Sequence, residues 1–149
     1  MHSNVTHKQG FLRMTKKQLL NLIYLSAFTA LTVYFAYSKG WILADFESLT
    51  PAQAHELLQE GNDVVLLDVR TPDEFTQGHI QGAVLMPVQL LSQNLTELDD
   101  SKNKKIVVYC ASGMRSVAAS RILSDNGFTA INLKGGIGQW KSDGFEVVQ

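Results

Sequence analysis

The pattern of hydrophobic and polar positions divides the chain into two dissimilar parts. Residues 19–37 are nineteen consecutive positions without a charged side chain, whereas the later residues form short apolar runs separated by polar ones. A helix over residues 19–37 would extend roughly 28 Å at 1.5 Å per residue, about the thickness of the hydrocarbon core of a bilayer. The pattern therefore predicts one transmembrane helix followed by one globular domain of about 105 residues.

Beyond residue 45, apolar runs of strand length alternate with stretches of helical spacing. Thr50 and Gln53 form a capping-box pattern around Pro51, which predicts a helix start. Two further helices are predicted over residues 90–98 and from Arg115 to about Gly127. Four strands are predicted, over residues 63–69, 83–86, 104–109 and 129–133. This alternation predicts an α/β fold, with a central parallel sheet covered by helices on both faces.

The charges are distributed as unevenly as the apolar residues. All fourteen acidic residues lie from Asp45 onward, while residues 1–44 carry five basic residues, Lys8, Arg13, Lys16, Lys17 and Lys39. Four of the five precede the apolar segment, so the positive-inside rule predicts a cytoplasmic N-terminus and a domain on the periplasmic or outer side. The acidic balance of the domain argues against nucleic-acid binding. The four histidines lack metal-ligand spacing, and we expect neither metal nor cofactor.

A cleaved signal peptide is the alternative interpretation of the apolar segment. Signal peptides have apolar regions of roughly 7–15 residues that end at a small-x-small site. Neither Tyr34-Phe35-Ala36 nor Ile42-Leu43-Ala44 fits that site well. We therefore expect a basic segment over residues 1–18, an uncleaved helix over 19–37, a linker over 38–45 and a domain over 46–149.

The chain's single cysteine, Cys110, directly follows the predicted strand over residues 104–109. The carboxyl ends of strands are where open α/β sheets bind ligands. The small residues Ala111, Ser112 and Gly113 allow the backbone to curl into a nest of N–H groups ahead of a helix, and such a nest stabilises a thiolate. Alternatively, Cys110 is simply a small buried side chain.

Arg115 strengthens the case for a site. A cation in the first turn of a helix opposes the helix dipole, which is unfavourable unless an anion lies in front of it. The guanidinium fork suits an oxyanion such as a sulfonate or a phosphate. A solvated surface arginine is the other interpretation.

Three ordered motifs carry a resemblance to a known family. They are DVRTPDEFTQGHIQGA over residues 68–83, YCASGMRS over 109–116 and LKGGIGQW over 133–140. Their order and spacing resemble the rhodanese homology domain, a single-domain sulfurtransferase, over about residues 46–149. The resemblance implies a rhodanese-like fold, a persulfide on Cys110, and a substrate-binding loop whose amides cradle the sulfur, formed by Ala111, Ser112, Gly113, Met114, Arg115 and Ser116.

The resemblance implies transfer of sulfur from a small anionic donor, such as thiosulfate, to cyanide or a thiol. A membrane-tethered persulfide carrier that hands sulfur to a partner protein, or a binding module, remains an alternative. Cysteine-based phosphatases and arsenate reductases resemble this fold, but the six residues from Cys110 to Arg115 match the sulfur-transferring members, and the phosphatases have one residue more.

Other residues in the motifs have structural interpretations. Asp68 and Arg70 follow a predicted buried strand near the site, and we expect an ion pair that ties the fold together, with substrate contact as the alternative. His79 is expected to be a structural hydrogen-bonding residue rather than a catalytic base. Trp140 is expected in the core.

Overall fold

A computed structural model describes residues 14–61 and 63–149. The chain divides between Phe35 and Ala36 into two compact units. Most of helix α1, Lys16–Ser38, belongs to the first unit, and it is long and apolar enough to cross a membrane, as a signal sequence also can be. Thr15 and Gln18 cap its first turn with a capping box. Two of the basic residues used to predict the orientation, Lys8 and Arg13, lie outside the described residues. So do two of the four histidines, His2 and His7.

The second unit is built on a five-stranded parallel sheet. The strands are β1 Glu47–Leu49, β2 Val64–Asp68, β3 Val84–Leu85, β4 Lys105–Tyr109 and β5 Thr129–Leu133. Their order is β1-β5-β4-β2-β3, which places β4 in the centre, paired with β2 and β5. The four predicted strands are confirmed. The edge strand β1 was not predicted, because only one of its three residues is apolar.

Helices cover both faces of the sheet. They are α2 Pro51–Gln59, α3 Pro72–Thr76, α4 Val88–Leu91, α5 Met114–Asp125 and α6 Gly136–Ser142. The single helix predicted over residues 90–98 is instead α4 followed by a separate 3-10 helix, Leu95–Ser101. The amide of Asn94 bonds back to the α4 carbonyls, so the chain turns between the two helices.

Alternate side chains of β4 define the two halves of the core. Ile106 and Val108 are fully buried and belong to the same cluster as Leu123 of α5. Val107 and Tyr109 are equally buried and belong to the opposite cluster. Trp140 of α6 lies in that second cluster, as predicted. Burying a large apolar side chain stabilises the fold by about 1.5–3 kcal/mol, so burial in both clusters stabilises the position of β4.

The first turn of α6 packs directly against the segment that follows β4. The amide of Ile137 donates to the carbonyl of Cys110 at 2.8 Å, and that of Gly138 donates to the carbonyl of Ala111 at 3.0 Å. Gly136 has φ +60°, and a Cβ there would overlap the Cys110 carbonyl oxygen and lie 2.9 Å from the Ala111 carbonyl carbon. Glycine at position 136 therefore permits the contact.

We predict that Gly136→Ala destabilises the protein by at least about 2 kcal/mol, because left-handed strain adds to backbone overlap. Gly144→Ala is the matched control, since Gly144 has φ +88° and no atom within 4 Å of its Cβ position. The control should cost about 1 kcal/mol from the left-handed backbone conformation alone. Urea unfolding of the full chain in nonionic detergent measures both changes. Equal destabilisation by the two variants would contradict the close approach.

Candidate active site

Cys110 lies at the carboxyl end of β4 and is 1% exposed. The amide of Gly113 donates to its Sγ atom at 3.1 Å. Gly113 has φ +98° and precedes the first residue of α5, so the chain turns back on itself between the cysteine and the helix. The sulfur atom therefore lies beside a backbone N–H donor at the start of a helix, as the sequence predicts for Cys110 and Gly113.

The side chains of this loop, residues 110–116, differ in exposure. Ala111 is half-buried and Gly113 is buried, whereas Ser112 is exposed and Met114 is about half exposed. Ser112 and Met114 thus form the solvent-facing part of the loop. Of the predicted binding residues, Gly113 contacts the thiol through its amide, and the turn at Gly113 leads directly into the first turn of α5.

Ser116 contributes to the loop from the interior. It is completely buried, and its hydroxyl oxygen lies 2.7 Å from Oδ1 of Asn132 on β5 and 3.1 Å from the carbonyl oxygen of Gly113. Asn132 in turn donates to the hydroxyl of Ser48 on β1 at 3.3 Å. The Ser116 side chain is thus engaged within the fold, and its hydroxyl links the loop to the adjacent strands.

The anion in front of Arg115 is a side chain of the protein itself. Nη1 and Nη2 of Arg115 donate to the two carboxylate oxygens of Glu74 at 2.7 and 2.6 Å. The hydrogen bonds from Arg115 lower the Glu74 pKa to about 2. Bonding to Glu74, with a smaller contribution from Cys110, raises the Arg115 pKa above its usual value. About a third of each side chain is exposed.

Glu74 is the site residue that the sequence reasoning missed. It lies in the first turn of α3, where it completes a capping box: the Thr71 side chain accepts from the Glu74 amide, and Glu74 accepts from the Thr71 amide. The spacing of Thr71 and Glu74 repeats that of Thr50 and Gln53, so this helix start could have been recognised in the sequence. The pairing with Arg115 has no local signal, since 41 positions separate the two residues.

Asp68 and Arg70 form a buried ion pair beside the site. Nη2 of Arg70 donates to Asp68 Oδ2 at 2.6 Å and to the Gly78 carbonyl at 2.9 Å, and the two side chains are at most 6% exposed. Burial opposes the charge of Arg70, but bonding to Asp68 outweighs it and raises the Arg70 pKa. The pair ties the end of β2 to the segment after α3, which is the structural role expected from the sequence.

His79 also has structural contacts. Its ring stacks on Phe75 with a centroid distance of 3.8 Å, and Nδ1 lies 3.2 Å from the Phe75 carbonyl oxygen. Its backbone forms both hydrogen bonds of an isolated bridge with Val148. His79 therefore fastens the C-terminal residues to the domain.

A cavity of about 620 Å³ lies elsewhere on the domain, lined in part by His55, Trp140 and Phe145. None of its lining residues belongs to the loop of residues 110–116. The chemistry of the thiol and its surroundings, rather than cavity size, therefore identifies the candidate site.

The ion pair predicts a specific sensitivity to acid. Because the Glu74 pKa falls from 4.5 to about 2 on folding, the stabilisation is complete above pH 4.5 and is lost as the pH falls towards 2. Between pH 6 and pH 3 the wild type should lose about 1 kcal/mol more stability than Glu74→Gln, a value reduced for solvent screening. Urea unfolding at both pH values measures the difference. Asp73→Asn, one residue away, is the control. If Glu74→Gln and the wild type lose equal amounts of stability between pH 6 and pH 3, the prediction is contradicted.

Comparison with known proteins identifies the family of the domain. The Rhodanese-like domain model matches residues 50–143. A sulfurtransferase of Allochromatium vinosum is 37% identical over 105 residues, covering 70% of this chain and 92% of that protein. The thiosulfate sulfurtransferase PspE of Escherichia coli is 35% identical over 71 residues, 48% of this chain and 68% of PspE. A crystal structure of a rhodanese-related protein from Thermoplasma volcanium aligns with a TM-score of 0.64 and 33% identity over 69% of this chain and 98% of that one. The chain therefore belongs to the rhodanese-like domain family.

Proposed function

We propose that this protein is a sulfurtransferase that moves sulfane sulfur from a donor such as thiosulfate to cyanide or a thiol, through a persulfide on Cys110. The observation that carries the proposal is the 3.1 Å contact from the Gly113 amide to Sγ, because a backbone donor at this position stabilises a sulfur anion. The sulfurtransferase names of the Allochromatium and Escherichia relatives support sulfur transfer in general.

The reaction proceeds in two balanced displacements. In the first, the Cys110 thiolate attacks the outer sulfur of thiosulfate, a new S–S bond forms, and the donor's S–S bond breaks with its electron pair leaving on sulfite. In the second, cyanide attacks the outer sulfur of the persulfide and leaves as thiocyanate, which regenerates the thiolate. No proton is transferred in either step, so the reaction needs no general base.

The loop supplies the binding groups for these steps. The backbone amides of the loop surround the transferred sulfur as donors; they belong to Ala111, Ser112, Gly113, Met114, Arg115 and Ser116. We assign to the Arg115 guanidinium, which interacts with Cys110, the role of offsetting the charge that develops on sulfite. Asp68 and Arg70 act indirectly, by fixing the end of β2 beside β4.

We predict that the full chain, purified in nonionic detergent, gains the mass of one sulfur atom with thiosulfate and loses it with cyanide. Because the sequence contains one cysteine, Cys110→Ser should show neither change. Intact-mass spectrometry measures both. A folded, reduced wild-type chain that takes up no sulfur would overturn the mechanism. Rapid turnover with free cyanide supports the enzyme, whereas a stable persulfide with negligible turnover would identify a carrier that needs a partner protein.

We further propose that α1 is an uncleaved membrane anchor and that the rhodanese-like domain faces the periplasmic or outer side. Lys16 and Lys17 are the first two residues of this helix. The other two basic residues that precede the apolar segment, Lys8 and Arg13, come earlier in the sequence. The expected organisation remains a basic segment over residues 1–18, a transmembrane helix over 19–37, a linker over 38–45 and the domain over 46–149. The positive-inside rule supports this orientation.

Single-cysteine variants test this topology. In a Cys110→Ser background, Ser142→Cys places a thiol on an exposed position of α6, and Ser3→Cys places one before the apolar segment. A membrane-impermeant maleimide should label the Ser142→Cys chain in intact spheroplasts and the Ser3→Cys chain only after permeabilisation. The opposite labelling pattern would show that the domain lies on the cytoplasmic side. A soluble mature chain that begins after about residue 36 would show a signal peptide instead.

A further inference from the structure

The described chain contains three capping boxes, and one of them differs from the others. Thr15 pairs with Gln18 at the start of α1, and Thr50 pairs with Gln53 at the start of α2. In both of these capping boxes, a glutamine side-chain oxygen accepts a hydrogen bond from the threonine backbone amide. At the start of α3, the same role belongs to Glu74. Since glutamine completes the other two boxes, capping alone does not require a negative charge at position 74.

The charge of Glu74 is used by Arg115. Its carboxylate accepts two hydrogen bonds from the guanidinium, of 2.6 and 2.7 Å, and two more from the amide and hydroxyl of Thr71, of 3.1 and 3.0 Å. The capping bonds hold the carboxylate on the first turn of α3. Glu74 therefore cannot move away from the site without breaking the cap of its own helix.

This arrangement changes the electrostatics that a sulfur donor meets. Arg115 and Glu74 together carry no net charge, while the reacting form of Cys110 is a thiolate. The Coulomb penalty for an approaching donor scales with the donor's charge, so a fixed carboxylate disfavours a dianion about twice as strongly, in free energy, as a monoanion. A site with an unpaired arginine would have the opposite preference.

We propose that Glu74 is a specificity-determining residue that selects sulfur donors of low negative charge, such as alkyl persulfides and thiosulfonates, over dianionic donors such as thiosulfate. The inference rests on the proposed sulfur transfer. With a protonated alkyl persulfide, the Cys110 thiolate attacks the terminal sulfur, the donor's S–S bond breaks, and the electron pair leaves on an alkyl thiolate, while the proton stays on the transferred sulfur. Thiosulfate remains a substrate, at a lower rate.

Substitution of Glu74 by glutamine removes the charge and retains the capping oxygen. In the full chain in nonionic detergent, Glu74→Gln should raise the rate constant for persulfide formation about tenfold with thiosulfate and about threefold with benzenethiosulfonate, a monoanion. Asp73→Asn, a charge removal at the adjacent exposed position, should leave the ratio of the two constants at the wild-type value. Arg115→Ala should shift the ratio in the opposite direction. Circular dichroism verifies the fold of each variant.

A second measurement tests charge selection without sulfur transfer. Because the chain has one cysteine, alkylation by iodoacetate, an anion, and by iodoacetamide, a neutral molecule, reports the charge preference at Cys110 alone. Glu74→Gln should raise the iodoacetate-to-iodoacetamide rate ratio several-fold at low ionic strength, and salt should reduce this increase.

The two measurements separate the possible failures. If the folded wild type accepts sulfur from neither donor while Glu74→Gln still shifts the alkylation ratio, the proposed function is overturned and charge selection by Glu74 stands. If Glu74→Gln matches Asp73→Asn in the alkylation ratio and in the donor ratio, Glu74 has only its capping role and the inference is overturned.

Discussion

The hydrogen bonds from the first turn of α6 to the carbonyls of Cys110 and Ala111 position the remainder of the site. They fix the start of the loop at the end of the central strand β4, which is itself held between two helical layers. With that start fixed, the turn at Gly113 brings its amide to the sulfur and begins α5. The thiol is therefore oriented by contacts with backbone atoms, while the side chains of Ser112 and Met114 remain exposed to solvent.

Electrostatic control of the site comes from a different element. Glu74 belongs to α3, yet it neutralises the arginine at the start of α5 and caps its own helix with the same carboxylate. A side chain that performs both functions couples the charge of the site to the stability of a five-residue helix. Asp68 and Arg70 add to this coupling, because their buried pair holds the chain on either side of α3.

Most of the sheet and the position of the cysteine could be predicted from sequence, because strands buried on both faces are continuous apolar runs. Cys110 was recognised because it follows such a run. Strand β1 has one apolar residue in three and pairs only at the sheet edge, so it leaves no pattern. Helix α6 was not among the predicted helices, because it begins with Gly136 and glycine is a poor helix former. The partner of Arg115 was not predicted, because a long-range ion pair depends on tertiary structure. The sequence indicated an anion in front of the helix, and we assigned that anion to the substrate rather than to Glu74.

The contact at Gly136 also constrains how this domain can evolve. The backbone of residue 136 leaves no room for a Cβ beside Cys110, so the space available to the loop is limited by α6 as well as by its own length. A longer loop would have to keep its first two carbonyls in place, because they accept hydrogen bonds from the first turn of α6. Changes at position 136 and changes at the start of the loop therefore constrain each other, although the two segments are far apart in sequence.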